Sequence, residues 1–228
     1  MNGLPDRPQP DTRQRLLEAA SRMFVEQGFG ATKVRDIVAR AGANIAAVNY
    51  HFGTKEGLYA AVIRHHSAQA IEELTLQDRA AAGRTPAARL RDHVRTFLQR
   101  LLVDTPQFTL SKLIAREIVE PTAAFELIIE RFVWPQYRAL HAIVRMVAGD
   151  GASEETVRRC CLSVVGQCIY YQFARQVVAH LDPGFGYASA DIERLADHIV
   201  AFSLGGIQQS AQACAAGRKS RSESGDAS

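Results

Sequence analysis

With 228 residues, 47% of them hydrophobic, the chain has enough apolar material for one large folded domain or two modest ones. A formal net charge of +3 is compatible with a nucleic-acid partner but does not by itself argue for one. No apolar run approaches the roughly 18–20 residues a membrane-spanning helix needs, and the opening MNGLPDRPQPD lacks the hydrophobic region of a signal peptide. A cytoplasmic protein with no membrane partner is the expectation.

Taken in chain order, residues 1–11 are rich in Pro and Asp and read as a disordered arm. From Thr12 onward almost everything reads helical, over about 12–28, 33–41, 44–51, 54–81, 86–104, 107–119, 122–148, 153–180 and 189–216. Pro86, Pro106, Pro121 and Asp182-Pro183-Gly184 punctuate these segments. The expected class is all-α, about nine helices. Residues 217–228, GRKSRSESGDAS, are low in apolar residues and read as a disordered tail.

The most informative stretch is 41–59, AGANIAAVNYHFGTKEGLY. Before it, Thr32 reads as an N-cap, and Val34, Ile37, Val38 and Ala41 recur at helical spacing until Gly42 stops the helix. Asn44 then caps a second short helix in which Val48 and Phe52 face inward. Gly53 ends that helix, Thr54 caps the next, and Glu56 falls in its first turn, where a carboxylate suits the positive end of the helix dipole. Two short helices joined by a tight glycine-containing turn form a helix-turn-helix, whose second helix fits the major groove of B-DNA.

Residues 12–58, from the apolar face Leu16, Leu17, Ala20 and Phe24 through Gly28-Phe29, Ala41-Gly42 and Tyr50-His51-Phe52 to Lys55-Glu56, resemble the N-terminal domain of the TetR family of transcriptional regulators. NIAAVNYHFGTKEGLY and REIVEPT, at 116–122, are similar to its CecR-like branch. The resemblance implies a DNA-binding head over 12–58 and a helical ligand-binding and dimerisation domain over 59–216.

The DNA-facing set is expected to be Thr32, Lys33, Arg35, Asn44, Ile45, Ala46, Asn49, Tyr50, His51 and Lys55. Asn49 stands where many family members carry tyrosine; it can bond an adenine edge or only a phosphate, while Ile45 and Ala46 can pack on a thymine methyl. Tyr50, His51 and Lys55 are expected on phosphate oxygens, which fixes register without reading sequence.

The helix from about 54 to 81 joins the two parts; His65 and His66 on it read as core or boundary residues. The middle helices are expected to surround an effector, with Phe97, Phe108, Phe125, Phe132, Trp134 and Tyr137 as aromatic surface and Arg116, Glu117 and Glu120 as polar groups. Pro135 should kink the helix around it. The last two long helices are apolar on both sides, so one face should meet the chain's own core and the other a symmetry mate. Leu162, Val165, Ile169, Phe173, Leu195, Ile199, Phe202 and Gly206 are the expected homodimer contacts.

Cys160, Cys161, Cys168 and Cys214 lack paired C-x-x-C spacing and read as buried free thiols, with no metal site and no cofactor. No nucleophile elbow, Walker loop, H-E-x-x-H, dinucleotide fingerprint or E-x-x-H pair supports catalysis. The expected function is a ligand-responsive repressor that binds a pseudo-palindromic duplex operator as a dimer and is released by a small molecule. An activator or a ligand-independent DNA-binding protein is the alternative, and an enzyme a remote third.

Overall fold

The structure, a computed structural model, describes residues 11–103 and 108–225; for Gln77, 108–109 and 217–225 it describes the backbone alone. Every regular element among the described residues is helical. In order they are α1 (Thr12–Ala31), α2 (Val34–Ala41), α3 (Ile45–Phe52), α4 (Lys55–Ala80), α5 (Pro86–Leu102), α6 (Phe108–Val119), α7 (Phe125–Ile128), a π-helical turn (Ile129–Val133), α8 (Trp134–Ala148), α9 (Glu154–Phe173), α10 (Arg175–Leu181) and α11 (Ser189–Gly225). The expected arm over 1–11 lies, but for Asp11, outside the described residues, as does the turn at Pro106.

Contacts divide the chain into two compact units, one running to Ala70 and including Thr109–Phe132, the other holding Ile71–Phe108 and everything from Val133 onward. In the first unit, Leu16, Leu17, Ala20 and Phe24 of α1 are buried at the helical spacing that brings them to one face. Phe24, Phe29 and Tyr59 form an aromatic cluster with ring centroids 4.7–5.9 Å apart. Gly28 interrupts α1 with φ +80°, a conformation that favours glycine. Thr32 is not the N-cap of α2; that position belongs to Lys33. The Thr32 hydroxyl is buried and donates instead to the carbonyl oxygens of Gly28 (2.6 Å) and Met23 (3.2 Å). The interruption at Gly28 leaves α1 carbonyls in need of a donor, and the hydroxyl reaches them before any amide of α2.

The first unit extends beyond 12–58 because α6 and the following turn are bonded into it. Glu117, only 2% exposed, accepts from the Tyr59 hydroxyl (2.9 Å), the Thr122 hydroxyl (2.9 Å) and the Thr122 amide (2.8 Å). The Arg116 guanidinium donates to the Glu26 carbonyl at 3.2 Å. Residues beyond 58 thus complete the head.

In the second unit α5, α8, α9 and α11 pack pairwise. Their core includes Leu90, Val94 and Leu98 of α5, Leu140 and Val144 of α8, Val157, Cys161, Val164 and Cys168 of α9, and Ile192, Ala196 and Ile199 of α11. Thr85 caps α5 just ahead of Pro86, and Ser153 caps α9. Arg91 of α5 bonds Glu193 of α11 at 3.1 Å.

Three helix expectations are corrected. The helix expected over 122–148 begins at Phe125 and runs in unbroken helical backbone to Ala148, and its irregularity is the π-helical turn Ile129–Val133 just ahead of Pro135. The helix over 153–180 breaks at Ala174; beside the break, the Arg175 side chain donates to the Leu102 carbonyl (2.7 Å) and lies 4.0 Å from the Tyr187 ring centroid. The backbone from 217 to Gly225 continues α11, fed by Ala211, Ala213, Ala215 and Ala216, which are strong helix formers. Among the described residues no helix is long and apolar enough to cross a membrane.

Candidate nucleic-acid interface

The α2–turn–α3 unit is specified by a few backbone-determining residues. Ile37, Val38 and Ala41 anchor α2 in the core. Gly42 then takes the left-handed conformation (φ +59°, ψ +41°) that ends a helix and turns the chain sharply. The Asn44 side chain accepts from the Ala47 amide at 2.9 Å, so it caps α3 as expected. Val48, 1% exposed, is the inward anchor of α3, with Phe52 half-buried beside it.

With that face inward, the opposite one is open. Ile45, Ala46, Asn49 and Tyr50 are exposed, Ile45 to 52% and Tyr50 to 85%. Exposed Ile and Tyr on a short helix carry a cost in water that contact with a groove removes. Lys33 and Arg35 of the flanking turn are also exposed, with Arg35 3.4 Å from Asp36. His51 is half-buried, its ring 4.9 Å from that of Tyr50. Lys55 is drawn partly inward: its ammonium lies 4.4 Å from the Phe29 ring centroid and 3.4 Å from the Gly30 carbonyl, leaving donor capacity for a further acceptor. Of the ten expected DNA-facing residues, buried Thr32 is the one whose polar group is turned away from solvent.

The start of α4 closes the unit. The Thr54 hydroxyl accepts from the Gly57 amide at 3.1 Å, and backbone amides of this first turn hold the Glu56 carboxyl below its ordinary range. Gly57 has a role that spacing alone does not reveal. A Cβ there would overlap the Phe52 carbonyl oxygen, so only glycine lets α4 approach the end of α3 this closely.

The residues expected to line one effector cavity are divided between the units. Arg116, Glu117, Glu120, Phe125 and Phe132 belong to the first, where Arg116 and Glu117 are engaged as described. Phe97 and Tyr137 pack on the core of the second, Trp134 is exposed on α8, and the Phe108 side chain is outside the described residues. Gln136, overlooked in the sequence, is buried there with its amide nitrogen unpaired. A 30 Å³ cavity near His93, Ala139 and Ile143 has room for water and not for an organic effector.

The expected dimer set also divides. Leu162 and Phe173 on α9 and Phe202 on α11 are exposed (64%, 51% and 68%), as is Gly206, while Val165 and Ile169 are partly buried. Leu195 and Ile199, at 5% and 1%, belong to the chain's own core. The buried arc of α11 centres on Ile192, Ala196, Ile199 and Ser203, so the stripe through 192, 195, 199 and 202 reaches solvent only at its edge, Phe202. Cys160, Cys161 and Cys168 are buried free thiols and Cys214 is half-buried; burial pushes the Cys161 and Cys168 thiols up to about 12.

Comparison with known proteins agrees with this architecture. Residues 16–62 match the model of bacterial regulatory proteins of the tetR family, and residues 86–207 match the C-terminal domain of the HTH-type transcriptional dual regulator CecR. CecR of Shigella flexneri is 31% identical over 180 residues, covering 73% of this chain and 78% of that protein. The transcriptional repressor Rv3405c of Mycobacterium tuberculosis is 48% identical over 50 residues, 22% of this chain and 27% of that one. Among solved structures, the hemolysin II regulator HlyIIR aligns with a TM-score of 0.61 at 20% identity, over 82% of this chain and 96% of that one. FadR of Bacillus subtilis, solved with stearoyl-CoA, aligns at 0.63 and 16% identity, over 85% and 98%. Head, helical second unit and both family matches make the chain a member of the TetR family of transcriptional regulators, DNA-binding proteins rather than enzymes, with a C-terminal domain of the CecR type.

Proposed function

We propose that the chain is a ligand-responsive repressor that binds a pseudo-palindromic duplex operator as a homodimer and is released by a small molecule. The observation that carries the reading is α3: a capped helix with Val48 buried on one side and Ile45, Ala46, Asn49 and Tyr50 presented on the other. In this reading Asn49, Ile45 and Ala46 read bases, whereas Lys33, Arg35, Tyr50, His51 and Lys55 hold the backbone. Thr32 and Asn44 position those residues through their hydrogen bonds.

The exposed apolar face through Leu162, Phe173 and Phe202, with Gly166, Gly205 and Gly206 open beside it, supports a two-fold interface between copies. An effector would enter the second unit near Phe97, Gln136 and Tyr137. The Gln136 amide nitrogen, buried and unpaired among the described residues, favours a polar partner there. FadR's stearoyl-CoA supports ligand binding by this fold. The name of the Shigella relative, a dual regulator, favours a second reading in which the chain activates some promoters and represses others.

Selection of bound duplex from a random pool tests the proposal. A two-fold-related pair of half-sites is expected; enrichment of a single unpaired site, or of nothing, would sink it. Transcription from the recovered site, with and without protein, then separates repression from activation.

A further inference from the structure

Lys55 opens α4, yet its side chain is half-buried and anchored at the amine. The ammonium lies 4.4 Å from the Phe29 ring centroid and 3.4 Å from the Gly30 carbonyl oxygen. Both partners belong to the end of α1, with Gly30 25 residues earlier in the chain. The negative face of an aromatic ring attracts a cation placed over it. The Gly30 carbonyl takes one of the ammonium's donors, and among the described residues the others have no hydrogen-bond acceptor.

The ring under this amine is itself fixed. Phe29 packs against Tyr59 (centroids 5.0 Å apart) and Phe24 (5.9 Å), both core side chains. The Tyr59 hydroxyl is bonded to Glu117, whose carboxylate also accepts from the Thr122 amide and hydroxyl, so Tyr59 is tied to α6. Just before the ring, Gly28 leaves the helical conformation (φ +80°, ψ +169°), and the Arg116 guanidinium lies 3.0 Å from where a Cβ would stand on it. A side chain at 28 would push against that guanidinium, which also donates to the Glu26 carbonyl. One packed framework inside the first unit thus runs from α6 through Tyr59 and the end of α1 to the Phe29 ring.

A lysine carries its charge on a flexible stem, and immobilising such a stem when a complex forms costs part of the affinity. An amine already seated over a ring has given up that freedom before the duplex arrives. We infer that Phe29 is a positioning residue for DNA binding: its ring preorganises the Lys55 ammonium for the acceptor this amine meets on the duplex. The inference rests on the reading of Lys55 as a backbone contact and adds to it a residue outside the DNA-facing set. It also assigns Arg116 and Glu117 to the support of that ring.

Affinity for the selected duplex is measured for the native full chain, Phe29→Leu, Phe29→Tyr, Lys55→Ala and the Phe29→Leu/Lys55→Ala double variant. Leucine keeps apolar bulk and removes the aromatic face; tyrosine keeps the face. Phe29→Leu should weaken binding by about two- to fivefold for each half-site engaged, as loss of a partly exposed cation–π contact does, while Phe29→Tyr stays at the native level. In the Lys55→Ala background Phe29→Leu should cost nothing further. Without DNA, the ring current should shift the NMR signals of the Lys55 ε-methylene protons upfield in the native chain and in Phe29→Tyr, and Phe29→Leu should return them to ordinary positions. The inference is overturned if Phe29→Leu costs as much with Lys55 absent as with it present, since the ring would then act on the fold at large. It is equally overturned if Phe29→Leu leaves native affinity unchanged or does not move the Lys55 signals. In all three cases a loss of affinity in Lys55→Ala leaves the backbone-contact reading standing; Lys55→Ala binding like the native chain would remove that reading and the inference together. Should Phe29→Leu not fold, Phe29→Met takes its place, and the lack of an upfield shift in the native chain is by itself enough to overturn the inference.

Discussion

The two units differ in what specifies them. In the first, single residues determine the backbone: Gly28, Gly42 and Gly53 at positive φ, Asn44 and Thr54 as caps, Gly57 where two helices nearly touch. In the second, Gly83 and Gly149 separate helices, and the arrangement of α5, α8, α9 and α11 rests on apolar side chains spread over all four. Punctuation assigns each neighbouring residue a direction. A distributed core assigns only a volume to be filled, and many sequences fill it equally well.

The largest effect expected from breaking this contrast lies in the second unit. Leu162→Glu combined with Phe202→Glu changes only exposed positions, so the folded monomer should survive. If those residues form the two-fold interface, sedimentation should show monomers, and operator affinity should fall by about 100-fold or more as two linked half-site contacts become independent. An unchanged dimer would exclude this face.

Glu117→Ala makes the next largest change, in the first unit. It leaves the Tyr59 hydroxyl and both Thr122 donors without their acceptor in a buried setting, at a cost of about 3 kcal/mol. Amide exchange should accelerate in α1 and α4 up to Ala70 and remain slow in α9 and α11. Uniform acceleration across both units would show that they unfold as one.

Legibility in the sequence followed the same contrast. The helix-turn-helix could be read because Gly42, Asn44, Gly53 and Thr54 act on their nearest neighbours, and local effects are visible in a string. Thr32 was misread because its acceptors, on Met23 and Gly28, lie in the preceding helix and not in the one it seemed to open. Arg116 and Glu117 were expected at an effector because their partners, Glu26 and Tyr59, stand 90 and 58 residues away. REIVEPT holds two carboxylates, and which of them meets the Thr122 amide depends on how the chain turns at Pro121, so the string does not single out Glu117. On α11 the period was correct and the face ambiguous, since a stripe wider than one interface does not state where the core ends.

Asn49→Ala sharpens the contrast at the scale of one side chain. Asn49 is exposed and its side chain makes no hydrogen bond among the described residues, while its carbonyl's bond from the Gly53 amide survives the substitution, so fold and dimer should be unaffected. If it bonds an adenine edge, affinity for the selected operator should fall by about 1–3 kcal/mol, and the preference at one base pair in each half-site should relax. A uniform weakening across all sequences would assign Asn49 to phosphate instead.

The smallest expected effect distinguishes the units by pH. His66 in the first unit and His93 in the second are both pushed down to about 4, chiefly by burial; the next contributions are the neighbouring His65 and Arg100 respectively. Above about pH 6.5 both are neutral whether the chain is folded or not, so neither makes stability depend on pH. Between 6.5 and 4 the unfolded chain takes up a proton that the folded one refuses, so stability declines as pH falls, by at most about 1.4 kcal/mol per unit for each histidine. Below 4 both states are protonated and the dependence flattens again. Urea unfolding of His93→Gln should therefore show a shallower decline between pH 6.5 and 4 than the native chain, in the transition reported by the second unit. His66→Gln should flatten the transition of the first unit, where the native ring meets the Ser21 hydroxyl at 3.1 Å. If each substitution flattened both transitions equally, the units would share one unfolding equilibrium; if neither changed the slope, burial of these rings would not be the source of acid sensitivity.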